Sequence, residues 1–235
     1  MKRLLYASAV VLLFAASTDA LAADAKRPSR DSLMTALLRQ APGLRSEVLR
    51  LALDATASAA DRGLVKRRDL LTVIDYSLPS SQPRLFVFNL QTRKLLFREL
   101  VAHGKNSGGD RPTHFSNSPG SLATSLGLFV TADTYVGSNG YSLRLRGLEE
   151  GVNDMAMDRA IVMHGASYVS RAAIRALGRL GRSWGCPAVR TEIARKMIDT
   201  LRGGSPIFAY YPEKTWLKTS EFVRMARAEA RDESR

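Results

Sequence analysis

Two short stretches decide the fold of this chain: AIVMHG at residues 160–165 and GRSWGCPAVR at residues 181–190. The first is an apolar run of strand length that ends in His164 and Gly165, so we expect the imidazole to emerge at the end of a buried strand. The second carries Cys186, the one cysteine of the 235-residue chain, between Gly185 and Pro187. This pair of stretches predicts a rigid strand-end histidine and a cysteine on a nearby loop.

The N-terminus has the layout of a cleaved secretory signal. Lys2 and Arg3 precede an apolar run over residues 4–17, and Ala-Leu-Ala at 20–22 supplies the small residues of a cleavage site. The apolar run is shorter than a typical membrane span, and no later stretch is apolar enough for one. We therefore expect a signal peptide over residues 1–22, export to the periplasm, and no transmembrane segment after cleavage.

The chain is strongly basic, with 35 lysines and arginines against 22 acidic residues and a formal net charge of +13. In an exported protein, such a charge indicates polyanionic surroundings such as cell-wall polymers, an acidic membrane surface or nucleic acid. The arginines are scattered along the chain, and no nucleic-acid-binding signature accompanies them. We therefore expect no nucleic-acid partner, and the charge by itself does not select among the others.

Export makes a single cysteine unusual, because cysteines in an oxidising compartment generally form disulfides in pairs. An unpaired one is buried and inert, joined to another molecule, or kept for its reactivity. Gly185 lets the backbone turn tightly, and Pro187 fixes the backbone that follows. This setting favours a sulfur that is held in position for chemistry.

The apolar pattern predicts a mainly β (α+β) fold. Residues 31–63 have helical spacing with a break at Pro42-Gly43, which indicates two short amphipathic helices. Alternating runs then predict strands, and one internal helix is expected at TEIARKMIDTL, residues 191–201. The predicted strands are LLTVIDYSL (70–78), RLFVFNL (84–90), KLLFRELVAHG (94–104), LGLFVTAD (126–133), YSLRLRGL (141–148), AIVMHG (160–165) and PIFAYYP (206–212).

These elements divide the chain into four segments. They are the signal peptide (1–22), an N-terminal helical segment (23–66), the main β domain (67–212) and a charged C-terminal tail (213–235), expected to be a solvated helix or tail. Two loops, 105–125 and 149–160, are longer than ordinary connections. We expect them to line a binding cleft.

Nucleophilic chemistry at Cys186 needs a thiolate, and therefore a base or a positive charge near the sulfur. His164 is the candidate base among the three histidines of the chain. If the following helix begins at Pro187, Cys186 is its N-cap and the helix dipole stabilises the thiolate. If it begins nearer Thr191, His164 and Arg190 must contribute more. The scattered histidines lack the spacing of a zinc site, so we expect no metal and no cofactor.

The order and spacing of these residues are similar to those of a known family. Gly165 and Ser183 are separated by seventeen residues. The elements of the signature are His164-Gly165, Ser183-Trp184-Gly185-Cys186 and Arg190. This pattern resembles the HG…S-x-G-C…R signature of the L,D-transpeptidase catalytic domain, a family of cysteine enzymes that remodel peptidoglycan. VAHGKNSG (101–108) and SLGLFVT (125–131) resemble two further family segments, and the likeness covers about residues 70–212.

The resemblance implies an L,D-transpeptidase-like β-sandwich or barrel core and assigns roles in it. Cys186 would attack the carbonyl of the third residue of a peptidoglycan stem peptide, releasing the terminal D-amino acid. His164 would be the general base, with its other ring nitrogen held by a backbone carbonyl, here that of Gly165. The amides of Gly185 and Cys186 are the candidate oxyanion donors. The acyl group would then pass to an amine or to water.

Four further residues are expected on the substrate side. Ser183 would brace the loop, and Arg190 would hold either a substrate carboxylate or the catalytic loop. Trp184 stands where the common family pattern has a histidine, and His103 stands where it has a small residue before Gly-Lys. Arg190 also follows the cysteine later than in the common pattern, which leaves its role open.

Two other functions fit parts of the pattern. A papain-like cell-wall peptide hydrolase would also use a cysteine and a histidine, but that class generally places the cysteine first, and this chain has the reverse order. A non-catalytic peptidoglycan-binding module with this fold would be expected to have lost the cysteine or the base, and both are present.

Overall fold

The computed structural model describes residues 30–224, in which eight strands form one sheet. The strands are β1 (Leu70–Asp75), β2 (Leu85–Asn89), β3 (Lys94–Glu99), β4 (Gly127–Gly137), β5 (Gly140–Gly147), β6 (Val162–Gly165), β7 (Ala188–Val189) and β8 (Pro206–Tyr210). The helices are α1 (Arg30–Leu38), α2 (Ser46–Asp61), α3 (Arg171–Leu177), α4 (Thr191–Leu201) and α5 (Lys214–Thr219). The predicted mainly β fold with N-terminal helices is confirmed.

The sheet is nearly closed into a barrel. Its strand order is β3-β2-β1-β8-β4-β5-β6-β7, so β3 and β7 are the two edges. Just beyond β3, the Ala102 amide donates to the Ala188 carbonyl of β7 at 2.9 Å, and the Ser183 amide donates to the His103 carbonyl at 3.0 Å. These bonds join the two edges and hold the segment that carries Cys186 in the seam between them.

Helices cover the outer face of the sheet on either side of β4. The helix α2 packs against β1 and β8, while α4 packs against β5 and β6. Most of α2 is buried, and its leucines and alanines belong to the same apolar core as the strands. The two N-terminal helices therefore support the sheet, as their apolar spacing predicts.

The structure adds two elements that the sequence pattern does not predict. The strand β7 has two residues, too few for a periodicity to be seen. The helix α3 has no buried residue and so no apolar stripe, although Ser170 caps its start and Gly178 ends it in the left-handed conformation. The predicted internal helix at 191–201 is α4, with the same bounds.

The C-terminal segment differs from the expected solvated tail, because α5 docks on the core. The Trp216 ring lies 5.8 Å from that of Phe208 and 6.1 Å from that of Tyr210, centroid to centroid. Its Nε1 donates to the buried Glu149 carboxylate at 3.1 Å. The predicted signal peptide at 1–22 and the end of the predicted tail, residues 225–235, lie outside the described residues. No helix within residues 30–224 is long and apolar enough to cross a bilayer.

The two tryptophans of the chain give a matched test of this docking. We expect Trp216→Ala to lower the free energy of unfolding by about 3–5 kcal/mol, because it leaves a large cavity and removes one hydrogen bond to the buried Glu149 carboxylate. Trp184 is 73% exposed, so Trp184→Ala should change the stability by less than about 0.5 kcal/mol. Denaturant unfolding followed by circular dichroism measures both, and equal effects would contradict the docking of α5.

Candidate active site

Cys186 lies at the end of a tight turn that the Ser183 hydroxyl closes. The Ser183 Oγ donates to the Cys186 carbonyl at 2.6 Å and accepts the Gly185 amide at 3.1 Å. Gly185 has a φ of +122°, and a β-carbon there would lie 2.8 Å from the Ala123 carbonyl oxygen. Only glycine fits this position without a backbone shift. The loop-bracing role predicted for Ser183 agrees with these contacts.

The thiol of Cys186 is largely buried at the start of β6. The Val162 amide donates to Sγ at 3.4 Å, and the Ala160 carbonyl oxygen lies 3.8 Å from Sγ. Burial raises the pKa of the thiol, and the Val162 N–H and the positive charge of Arg159 oppose that rise. The resting form at neutral pH is therefore the thiol.

The helix that follows begins at Thr191, with Arg190 as its N-cap, so Cys186 is not at a helix N-terminus. The alternative in which a helix beginning at Pro187 stabilises the thiolate is wrong. Residues 188–189 pair with β6 as the short strand β7 instead. That pairing holds the backbone extended where the helix would have begun.

His164 lies on β6, two residues beyond Val162, whose amide contacts the sulfur. Its Nδ1 is 3.0 Å from the Gly165 carbonyl oxygen. Because a carbonyl only accepts, Nδ1 carries the proton of the neutral ring and Nε2 is left as an acceptor. Burial lowers the pKa of His164, opposed by this hydrogen bond. Within residues 30–224 no hydrogen bond joins the ring to Sγ. Val162 and His164 are two residues apart on β6, so their positions along the strand differ by about 7 Å.

Gly165 allows α4 to approach β6 closely. A β-carbon on Gly165 would lie 2.9 Å from the Ala194 Cβ and 3.2 Å from the Thr191 Cα. The glycine therefore places its carbonyl beside the imidazole while the helix packs over it. A larger residue would push α4 away from the strand that carries His164.

The comparison with family models decides the family of this chain. The model for the L,D-transpeptidase catalytic domain matches residues 40–210, which is more than half of the sequence. The chain belongs to the L,D-transpeptidase catalytic-domain family. The match includes α2, which lies outside the 70–212 region of the sequence likeness.

Solved structures of the family are distant from this domain. L,D-transpeptidase 1 of Mycobacterium tuberculosis is 18% identical, with a TM-score of 0.33, over 61% of this chain and 62% of that one. The L,D-transpeptidase of Stackebrandtia nassauensis is 14% identical, with a TM-score of 0.37, over 77% and 76%. This chain spans about three fifths of the length of the first solved structures it matches. No curated protein matches it.

Arg190 is held by an acidic partner in this L,D-transpeptidase domain. Its Nε and Nη2 donate to the two carboxylate oxygens of Glu99 at 2.9 and 2.7 Å. The pair ties the start of α4 to the end of β3, and it raises the pKa of Arg190. Of the two roles left open for Arg190, these contacts support holding the catalytic loop, because a substrate carboxylate would have to displace Glu99.

His103 was predicted to bind substrate, but in the structure it is buried beneath the turn that carries Cys186. The residue is fully buried, so substrate does not reach it. Its Nδ1 lies 2.7 Å from the Arg84 Nη2, which donates to it. Burial and the Arg84 charge lower the pKa of His103 to about 4. Its carbonyl accepts the Ser183 amide, so it supports the turn from beneath.

Trp184 is the most accessible of the predicted site residues. It stands between Ser183 and Gly185, and 73% of its surface is exposed although it is large and apolar. The exposed indole lies within two residues of the nucleophile candidate. Contact of Trp184 with substrate stays a prediction.

The two long loops, 105–125 and 149–160, contact each other. The Asn117 Nδ2 donates to the Asp154 carboxylate at 2.7 Å, joining one loop to the other. A cleft of about 460 Å³ lies between the loops and α5, and residues 113–117 and 151–152 line it. Loop contact thus forms a concave surface beside the domain core.

Sequence reasoning missed three residues near the thiol: Tyr76, Arg159 and Tyr168. Burial raises the pKa of both tyrosines, and the negative charge of a Cys186 thiolate raises it further. Arg159 acts on the thiol in the opposite sense. In the sequence, Arg159 is recognisable only as a basic residue directly before the apolar strand AIVMHG. That position does not show where its side chain points.

Two glycines with positive φ give a matched test of the turn. Gly178 has a φ of +68° and open space around it, so Gly178→Ala should cost about 1 kcal/mol of strain. Gly185→Ala adds a clash with the Ala123 carbonyl and should lower the free energy of unfolding by about 3 kcal/mol. Denaturant unfolding measures both, and a Gly185→Ala cost no greater than that of Gly178→Ala would contradict the packed turn.

Proposed function

We propose that this domain catalyses L,D-transpeptidase-type acyl transfer on peptidoglycan stem peptides, with Cys186 as nucleophile and His164 as general base. The observation that carries the proposal is the arrangement at β6. The Cys186 thiol lies on a turn closed by Ser183 and contacts Val162 of β6. Two residues further along the same strand is His164, whose Nδ1 is held by a hydrogen bond and whose Nε2 is free to accept a proton. Membership of the L,D-transpeptidase family supplies the substrate class.

The proposed reaction begins from neutral groups. The pKa of Cys186 is raised and that of His164 is lowered, so thiol and imidazole coexist at neutral pH without forming an ion pair. As Sγ attacks the carbonyl carbon of the third stem residue, its proton passes to His164 Nε2. Closing the gap between the ring and the sulfur is then part of substrate binding, since catalytic hydrogen bonds are commonly loose before substrate arrives.

Charge develops on the carbonyl oxygen, and the Cys186 amide is the donor we assign to it. Within the described residues this N–H has no partner, whereas the Gly185 N–H is already donated to Ser183 Oγ. Collapse of the tetrahedral intermediate breaks the bond to the terminal D-amino acid, whose nitrogen takes the proton from His164. The product is a thioester on Cys186, which an amine or water then resolves.

The surroundings of the enzyme follow from the same proposal. Peptidoglycan is the partner, and the net charge of +13 suits an anionic wall polymer. We also propose export to the periplasm, with residues 1–22 as the signal peptide. An L,D-carboxypeptidase or another cysteine peptidase of cell-wall peptides differs only in passing the acyl group to water, and a wall-binding module would bind without turnover.

We expect turnover of a disaccharide tetrapeptide to depend on both residues. Cys186→Ala should abolish release of the terminal D-amino acid, and His164→Gln should reduce it by about 10² to 10⁴-fold. Because the pKa of His164 is lowered, the base stays neutral as the pH falls, so activity should decline only below about pH 6.5. Chromatography of the products, with and without an added amine acceptor, separates cross-linking from hydrolysis.

Folding of both variants is checked by circular dichroism. Unchanged release in Cys186→Ala would defeat the acyl-transfer proposal. Equal binding of wild type and Cys186→Ala to purified sacculi, with no release by either protein, would favour the wall-binding module.

A further inference from the structure

Arg159 is a half-buried cation without an acidic partner. Its guanidinium donates to the carbonyl oxygens of Ser116 at 2.7 Å and Ala123 at 2.6 Å. It also donates to the hydroxyl oxygens of Ser125 at 2.6 Å and Ser121 at 3.1 Å. All four acceptors are neutral, and among residues 30–224 no ion pair within 4 Å joins Arg159 to a carboxylate. The positive charge is therefore not neutralised by an ion pair.

The same guanidinium lies against the turn that carries the nucleophile. A β-carbon on Gly185 would lie 3.3 Å from the Arg159 Nη2, and 2.8 Å from the Ala123 oxygen that accepts from this nitrogen. From the other direction, Arg159 directly precedes Ala160, whose carbonyl oxygen lies 3.8 Å from Sγ. Chain connectivity and side-chain packing thus both bring the cation to the surroundings of Cys186.

The other groups near the thiol do not supply a positive charge of this kind. Tyr76 and Tyr168 are neutral when protonated and negative when ionised, so neither hydroxyl supplies a positive charge. His164 has a lowered pKa and is neutral at the pH where the thiol titrates. Arg84 is also positively charged, but it stacks over the Tyr76 ring at 5.0 Å and donates to His103, and its charge acts on those two groups and not on the thiol.

We propose that Arg159 is a positioning residue for the nucleophile, whose guanidinium holds the 116–125 loop against Gly185 and stabilises the Cys186 thiolate by its charge. It takes the place of the helix N-terminus expected if a helix began at Pro187, since α4 begins five residues after Cys186. The inference rests on the proposed function only for the identity of the group that the thiolate attacks. The effect on ionisation is a property of the fold.

The chain offers a direct readout, because Cys186 is its one cysteine. The rate of alkylation of the full-length protein by iodoacetamide, followed by intact mass across the pH range, reports the ionisation of this thiol alone. Arg159→Met removes the charge and should move the midpoint of the profile upward by about 1 pH unit. At a fixed pH below the midpoint, this shift corresponds to about tenfold less thiolate. Arg159→Lys keeps the charge with fewer hydrogen bonds and should move the midpoint by less than half as much.

Two controls separate charge from structure. Arg202→Met removes one positive charge at an exposed arginine past the end of α4 and should leave the midpoint unchanged. Ser121→Ala removes one loop contact of Arg159 while its charge remains, and should also leave the midpoint unchanged. If Arg159→Met does not fold, Arg159→Gln is measured in its place.

The outcomes decide the inference separately from the function. An upward shift in Arg159→Met with little shift in Arg159→Lys supports it. A folded Arg159→Met with an unchanged midpoint, or equal shifts in the Met and Lys variants, overturns it, because the charge would then have no effect of its own. Loss of the proposed acyl transfer, with the alkylation shift still present, would remove the proposed function and leave the charge effect standing.

Discussion

The hydroxyl of Ser183 is the contact on which the arrangement of the site depends. It closes the turn by donating to the Cys186 carbonyl and accepting from the Gly185 amide. The backbone of Ser183 in turn bonds twice to the segment that follows β3, donating to the His103 carbonyl at 3.0 Å and accepting the Lys105 amide at 2.8 Å. The same residue therefore joins the edges of the sheet and shapes the turn, so the position of Cys186 is coupled to closure of the barrel.

Burial sets the electrostatics of this site. It raises the pKa of Cys186 and lowers that of His164, which favours two neutral groups over a resting ion pair. Two features work against the cost of forming a thiolate there: the Val162 amide that points at the sulfur, and the uncompensated guanidinium of Arg159. In the proposed reaction, the thiol therefore stays protonated at rest and ionises when substrate brings His164 into contact with it.

The local features of this fold are readable from the sequence, and the long-range ones are not. Period-two alternation predicts the long strands, and the stripe in TEIARKMIDTL predicts α4, because both patterns repeat within one element. Short motifs also predict the glycine turn at Gly185, the cysteine beside it and the histidine at the strand end, His164. The Arg190 and Glu99 pair joins residues 91 positions apart, and no local pattern shows such a contact.

His103 and Arg159 illustrate the same limit from opposite sides. A histidine beside a Gly-Lys turn suggests an exposed site residue, yet barrel closure buries it against Arg84. An arginine at the end of a polar loop suggests a solvated side chain, yet Arg159 folds back onto four acceptors in the 116–125 loop. Whether a polar residue is buried depends on which segments meet, and that is set by the tertiary fold.

The central claim is that Cys186 forms a thioester with the stem peptide, and the covalent intermediate tests it most directly. The full-length protein is mixed with a disaccharide tetrapeptide, quenched in acid during turnover, and weighed intact, followed by peptide mapping. The account predicts an added mass equal to the disaccharide-tripeptide acyl group on the peptide that contains Cys186, and no addition in Cys186→Ala. Turnover without any acyl group on Cys186 would contradict it.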